Sequence, residues 1–130
     1  MSKIGCITLV VRDYDEAIKF YTDALGFTLV EDTPQGNGER WVQVAPPGSS
    51  ETCLLLAQAV NSEQEKAIGN QAGGRVFLIY HSDNFERDYQ RMQTFGVKFE
   101  EEPRHEPYGT VAVFQDLCGN RWDLLETKTA

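Results

Sequence analysis

The 130-residue sequence has no long apolar run, no excess of basic residues and no pair of cysteines at C-x-x-C spacing. None of its apolar stretches approaches the roughly 20 residues that a membrane helix needs, so a membrane is not an expected partner. The N-terminal stretch MSKIGCITLVVRD lacks the apolar core and the small-residue cleavage site of a signal peptide. We therefore expect a cytoplasmic location.

The few cysteines and the scattered basic residues exclude two further classes of protein. Cys6, Cys53 and Cys118 are odd in number and widely spaced, which indicates free thiols and not a disulfide framework or a zinc knuckle. The net charge is −8, from 12 basic and 20 acidic residues, so the chain offers no electrostatic footprint for nucleic acid. An acidic surface favours a cationic ligand, although acidity also serves solubility alone.

An internal repeat organises the chain. The segments DYDEAIKFYTDALG and DNFERDYQRMQTFG begin at Asp13 and Asp83, and each reaches a glycine thirteen positions later, at Gly26 and Gly96. Apolar residues recur at helical spacing in both segments. We predict a helix in each, with the aspartate as the N-cap and with the glycine, which tolerates a left-handed conformation, just beyond the end.

Alternating runs rich in β-forming residues surround both predicted helices, so each half reads β-α-β-β-β. The predicted strands are 6–11, 27–31, 40–45 and 52–57 in the first half and 75–80, 97–101, 110–115 and 121–126 in the second. We predict an α+β fold in which two βαβββ modules form a curved mixed sheet around a concave cleft, with the helices outside. The domain would comprise module 1 (about 3–60), a polar linker with room for a short helix (61–74) and module 2 (about 75–127). Small modules gain stability by pairing, and we expect a homodimer.

Three segments carry a resemblance to a known family. They are LVVRDYDEAIKFYTDALGF (9–27), RWVQVAPPG (40–48) and EPYGTVAVFQDLCGNRWDLLE (106–126), and the F-x-D-x-x-G-N turn in the last is the most characteristic. Together they resemble the vicinal oxygen chelate superfamily, which includes glyoxalases, bleomycin-resistance proteins and extradiol dioxygenases. The resemblance implies the fold and leaves the reaction open, because the chemistry of this scaffold depends on individual site residues.

Metal-using members of that superfamily take four ligands from the first and fourth strands of the two modules. The resemblance places these positions at Cys6, Arg75 and Asp123, with Leu55 or Cys53 as the fourth. Arginine and leucine offer no donor to a divalent ion. We therefore expect no cofactor and a degenerate metal site, with a zinc-like set of Cys6, Cys53 and Asp123 as the alternative.

Asp123 interrupts the otherwise apolar strand RWDLLE, and an ion pair with Arg75 would explain its presence. Such a pair is either a structural tie or a ligand anchor in which Arg75 holds an anion. Arg121 lies two residues before Asp123, on the same face of the predicted strand, and is a second candidate contact. Trp122 alternates to the opposite face and is expected to pack beneath the helix.

Three more residues are candidate ligand contacts because they adjoin predicted loops. Trp41 follows the glycine-containing stretch DTPQGNGER, although it is equally suited to the core. His105 and Tyr108 lie in EEPRHEPYG, where they would close over a ligand or remain solvated.

The sequence as a whole predicts a small-molecule-binding protein of the glyoxalase/bleomycin-resistance type without the standard divalent metal. The alternative is an enzyme: a metal-dependent lyase, isomerase or dioxygenase acting on a small oxygenated metabolite, or one that uses Asp123 as a general base.

Overall fold

The computed structural model describes residues 1–48 and 51–128. These residues form two compact units, 1–68 and 69–128, and each unit contains a mixed β-sheet and a helix that follows its first strand. The α+β class and the two βαβββ-like modules are as predicted. Each helix within the described ranges is too short or too polar to serve as a membrane span.

The first unit has a four-stranded sheet in the order β1-β4-β3-β2, with β1 parallel to β4 and the other pairs antiparallel. Helix α1 continues as a π-helical turn, and α2 follows the last strand. The elements are β1 (Cys6–Val11), α1 (Tyr14–Lys19), the π-turn (Phe20–Ala24), β2 (Thr28–Gly36), β3 (Glu39–Ala45), β4 (Cys53–Gln58) and α2 (Ser62–Ala67).

The second unit repeats this plan with one addition. Its sheet has the order β5-β9-β8-β6, and the short strand β7 also pairs with β8. Strand β5 runs parallel to β9, whereas the other pairs are antiparallel. The elements are β5 (Val76–His81), α3 (Phe85–Thr94), β6 (Lys98–Phe99), β7 (Arg104–Glu106), β8 (Gly109–Gln115) and β9 (Arg121–Thr127).

The predicted loop DTPQGNGER is instead most of a β-hairpin. Strand β2 runs on to Gly36, and the chain turns at Asn37 and Gly38, whose φ angles are 55° and 80°. Two consecutive positive φ values define the type I′ turn that matches the twist of paired strands, and Asn-Gly is its preferred sequence. The Asn-Gly pair was therefore a hairpin signal, and the predicted end of this strand at residue 31 was wrong.

The distance from the N-cap to the terminal glycine differs between the first helix and α3, so the predicted repeat of equal spacing is corrected. The Asp13 carboxylate accepts a hydrogen bond from the Glu16 amide at 2.8 Å, as expected of an N-cap. In the second unit the N-cap is Asn84, not Asp83, so the distance to the following glycine is twelve positions and not thirteen. The π-turn of the first helix accommodates the additional residue, because its hydrogen bonds span one residue more than those of an α-helix.

Each helix packs one face of its sheet, and large apolar side chains fill the space between. Tyr21 and Leu25 in the first unit and Met92 and Phe114 in the second are 0% exposed. Trp122 is 2% exposed and stacks on Phe114, which confirms its predicted place in the core.

A buried carboxylate fixes α3 against the end of β5. Asp88 is 0% exposed and accepts hydrogen bonds from the Ser82 hydroxyl at 2.5 Å, from Arg91 Nη2 at 2.5 Å and from Arg87 Nε at 3.1 Å. These bonds offset the cost of removing the charge from water, so the carboxylate holds the helix in register with the strand.

The turn DLCGN between β8 and β9 is organised by a second buried acid, Asp116. Its carboxylate accepts hydrogen bonds from the amides of Cys118 and Asn120 at 3.0 Å each, from Asn120 Nδ2 at 3.0 Å, and from Trp122 Nε1 at 3.2 Å. The Asn120 carboxamide in turn accepts from the Gln71 amide at 3.1 Å. The most characteristic motif of the sequence is therefore a structural turn, and it sets where β9 begins.

We predict that Asp116→Ala destabilises the chain by about 3 kcal/mol, because the buried donors of Asn120 and Trp122 lose their acceptor. The free energy of unfolding in urea measures this. Asp13→Ala is the matched control, since it removes one exposed N-cap bond and should cost only about 1 kcal/mol. Equal losses in the two variants would show that the turn does not depend on Asp116.

Candidate functional site

The face of the second sheet that points away from α3 is the candidate site. Strand alternation and register place on it Ile79 of β5, Val111, Val113 and Gln115 of β8, and Arg121, Asp123 and Leu125 of β9. We call this set of residues the distal face. Ile79 is 52% exposed whereas Val113 is 8% exposed, so the distal face has an accessible end and a covered end.

Asp123 lies where the accessible and covered ends of the distal face meet. Its neighbours in the sheet are Ile79 on β5 and Val113 on β8, both apolar. The side chain is half-buried, and its carboxylate accepts no hydrogen bond from residues 1–48 or 51–128. Burial raises the pKa of Asp123, and Glu101 raises it further, whereas Arg104 and Arg121 act in the opposite direction.

Two ion pairs border Asp123. Arg104 Nε donates to Glu101 at 2.8 Å, and Arg121 Nε donates to Glu100 at 3.1 Å. These hydrogen bonds hold the pKa of both glutamates below the usual range. Because both arginines already have carboxylate partners, they stabilise ionised Asp123 only through space, and Asp123 retains unused acceptor capacity.

Arg75 and Asp123 do not form the ion pair that the sequence suggested. Arg75 precedes β5, where Val76 pairs with Arg121, and a bulge follows before Ile79 comes opposite Asp123. In the part of the chain that the structure describes, no salt bridge involves Arg75. Its exposed side chain instead borders a groove of about 350 Å³ together with Gly74, Val76 and Arg121.

The positions that the resemblance assigned to metal ligands do not fit a hard divalent ion. Cys6 and Cys53 are neighbours in β1 and β4, and Leu55 lies beside Thr8 two residues further along. Arginine and leucine supply no donor, and thiolates suit soft ions. No group of three or more His, Cys, Asp or Glu residues in ranges 1–48 and 51–128 is placed to hold a metal ion.

The other predicted contacts are placed individually. Trp41 lies on β3 opposite Thr33 and is 38% exposed, so it is not a core residue. His105 is in strand β7, opposite Thr110, and not in a loop as predicted; its Nδ1 lies 3.3 Å from the Thr110 hydroxyl. Tyr108 occupies the turn that follows and is 52% exposed.

Sequence reasoning missed the two carboxylates and one arginine that shape the charge around Asp123. Glu100, Glu101 and Arg104 belong to the charged run EEEPRHE, in which three consecutive acids and then an arginine are the only signal that sequence offers for them. Their role became visible because β7 pairs back onto β8, which puts Arg104 beside Val111 and on the distal face.

Comparison with known proteins places the chain in a family. The sequence matches the Glyoxalase/Bleomycin resistance protein/Dioxygenase superfamily over residues 3–124. The chain belongs to this superfamily, which is also called the vicinal oxygen chelate superfamily, and the resemblance seen in the sequence is confirmed.

The chain spans most of the length of the relatives and solved structures that it matches. An uncharacterized protein of Shewanella frigidimarina (strain NCIMB 400) is 60% identical over 121 residues, which cover 92% of this chain and 90% of that protein. TnmS3, an antibiotic binding protein from Streptomyces sp. CB03234, is 30% identical with a TM-score of 0.78 and 98% of both chains covered. A glyoxalase/bleomycin resistance protein from the same strain is 31% identical with a TM-score of 0.73, with 95% of this chain and 99% of that chain covered.

We predict that Asp123→Asn stabilises the chain at neutral pH, by roughly 0.5–1 kcal/mol, because it removes a partly desolvated charge. A raised folded-state pKa means that wild-type stability is lost as pH rises through that pKa. The gain should therefore shrink as pH falls through the raised folded-state pKa, and it should vanish below about pH 3, where the carboxyl is protonated in both states. Urea unfolding at several pH values measures it.

Glu101→Gln is the control of opposite sign for Asp123→Asn. The pKa of Glu101 is lowered by its hydrogen bond from Arg104, so its stabilising contribution is present at neutral pH and lost as pH falls through the folded pKa. This variant should be destabilised at neutral pH. Destabilisation of Asp123→Asn under the same conditions would refute the assignment of Asp123 as an uncompensated carboxylate.

Proposed function

We propose that this chain binds a small organic molecule at the distal face of its second sheet and that Asp123 accepts a hydrogen bond from the ligand. The observation that carries the proposal is the state of the Asp123 carboxylate, which is half-buried between Ile79 and Val113 without a hydrogen-bond donor in the described chain. Such a group lowers its free energy when a ligand supplies the missing donor.

The surroundings of Asp123 favour a ligand with an apolar body and a cationic or N–H donor group. Ile79 is 52% exposed and offers an apolar surface beside the carboxylate. The charges nearby are Glu100, Glu101 and Asp123 against Arg104 and Arg121, so the local balance is negative. The similarity to TnmS3, an antibiotic binding protein of the same fold, supports a binding role.

Arg75 offers a contact for an anionic group of the ligand, in addition to the contact at Asp123. The groove beside this residue has a volume of about 350 Å³, and Arg75 forms no salt bridge in the described residues. Arg121 borders the same groove but donates to Glu100 and, through Nη1, to the Gly74 carbonyl at 3.3 Å. Arg75 is therefore the proposed anion anchor, with Arg121 in support. Trp41, His105 and Tyr108 remain proposed contacts.

The alternative function is an enzyme in which Asp123 acts as a general base. Its raised pKa favours this role, because a base is most effective when its pKa approaches the working pH. A metal-dependent lyase, isomerase or dioxygenase is less well supported, since the residues at the family's ligand positions do not suit a hard divalent ion. The expectations of a homodimer in the cytoplasm likewise remain proposals.

Two probes that share a ring and differ in charge test the anchors: benzylamine for Asp123 and benzoate for Arg75. We expect each probe to raise the melting temperature in a concentration-dependent way. At 100 times Kd the free energy of unfolding should increase by about 2.7 kcal/mol. Asp123→Asn should weaken benzylamine about 10-fold or more, and Arg75→Ala should weaken benzoate similarly. Asp15→Asn and Lys66→Ala, which remove exposed charges in the first unit, are the matched controls. Stabilisation that is unaffected by both site variants would contradict the proposed site.

Elemental mass spectrometry of protein purified without chelator separates the binding protein from the metal-dependent enzyme. We expect divalent metal far below one equivalent per chain, because Arg75 and Leu55 provide no ligand atoms. A stoichiometric content of nickel, zinc, iron or manganese that survives dialysis would overturn the metal-free proposal.

A further inference from the structure

Two free cysteines lie side by side in the first sheet. Cys6 of β1 and Cys53 of β4 are directly paired in parallel register, and the Cys53 amide donates to the Gly5 carbonyl at 2.9 Å. Residues paired in this way project from the same face of a sheet. Adjacent strands are about 4.7–4.9 Å apart, which falls within the roughly 4.4–6.8 Å between Cα atoms that a disulfide requires.

The hydrogen bond to Cys6 shows which way its sulfur points. Gln43 belongs to β3, which is separated from β1 by β4. Even so, Gln43 Nε2 lies 2.9 Å from Cys6 Sγ. This contact crosses β4, so the sulfur of Cys6 leans over the strand that carries Cys53. The thiol of Cys6 is therefore directed inward, toward β4 and Cys53, and not outward from the edge of the sheet.

Both cysteines are also accessible. Each is partly exposed to solvent, and each is a free thiol. Cys118, the third cysteine, lies in the β8–β9 turn of the second unit, where its amide donates to Asp116. A dithiol that is both aligned and accessible is the arrangement in which oxidation of one thiol is captured by the other.

We propose that Cys6 and Cys53 form a modification site at which a hydroperoxide oxidises the two thiols to an intramolecular disulfide. The thiolate of one cysteine attacks the terminal peroxide oxygen, which breaks the O–O bond, releases water or alcohol and leaves a sulfenic acid. The second thiol then attacks that sulfur, forms the S–S bond and releases water. The two cysteines lose two electrons and two protons, and the peroxide is reduced. A dithiol reductant reverses the change by thiol–disulfide exchange.

Peptide mapping of the full-length protein tests the proposal. Trypsin releases the three cysteines in separate peptides, 4–12, 41–66 and 105–121. After treatment of the reduced native protein with hydrogen peroxide and alkylation of the remaining thiols, we expect a cross-linked species of 4–12 with 41–66. Intact mass should show the loss of two hydrogen atoms, and dithiothreitol should restore the original mass.

The controls distinguish sheet geometry from general thiol reactivity. Cys118→Ser should oxidise like the wild type, whereas Cys6→Ser and Cys53→Ser should give no internal cross-link. The same oxidation in urea should produce all three pairings, because the unfolded chain imposes no register. A native product that contains 105–121, a mixture like that of the unfolded chain, or oxidation of single cysteines without cross-linking would overturn the proposal.

A second probe needs no substitution and therefore does not depend on the folding of a variant. Phenylarsine oxide condenses with two neighbouring thiols and releases one water, so it reports their proximity without any redox step. We expect one adduct on the native protein that blocks both 4–12 and 41–66 from alkylation. Failure of this reagent to protect the two peptides together would also contradict the inference.

Discussion

The second unit depends on the hydrogen bonds that the Asp116 carboxylate accepts. Its hydrogen bonds close the turn between β8 and β9, and one of them engages Trp122 in the core. Because Trp122 is held on the side of the helix, strand alternation places Arg121 and Asp123 on the other side. A shift of one residue in this turn would exchange the core side chains for the charged ones. The site therefore inherits its geometry from a buried acid that is not part of it.

Two aspartates seven residues apart thus have opposite roles. Asp116 is 5% exposed, and its hydrogen bonds are satisfied within the fold. Asp123 is more accessible, yet it lacks a hydrogen-bond donor among the described residues and its pKa is raised by burial. The number of donors and not the degree of burial distinguishes a structural carboxylate from one that is available to a ligand. The arginines near Asp123 donate instead to Glu100 and Glu101.

Much of the fold was predictable because it follows local rules. Strands β1, β8 and β9 and the capped start of α1 were close to their predicted bounds, since alternation and an N-cap are encoded by adjacent residues. The surroundings of Asp123 were not predictable, because they depend on long-range pairing. The bulge in β5 separates Arg75 from Asp123, and the return of β7 onto β8 brings Arg104 and Glu101 close. Neither feature has a local signature in the sequence.

The π-turn at Phe20–Ala24 has a consequence for any comparison of the two halves. The first helix carries one residue more between its N-cap and its terminal glycine than the second, and the wider turn absorbs that residue without displacing the glycine from its left-handed conformation. An alignment of the halves anchored on the glycines is therefore out of phase by one residue upstream of the helices. Equivalent residues of β1 and β5 have to be found from strand pairing. Thr8 pairs with Leu55 and Ile79 pairs with Asp123, so Thr8 and Ile79 are equivalent when Leu55 is aligned with Asp123.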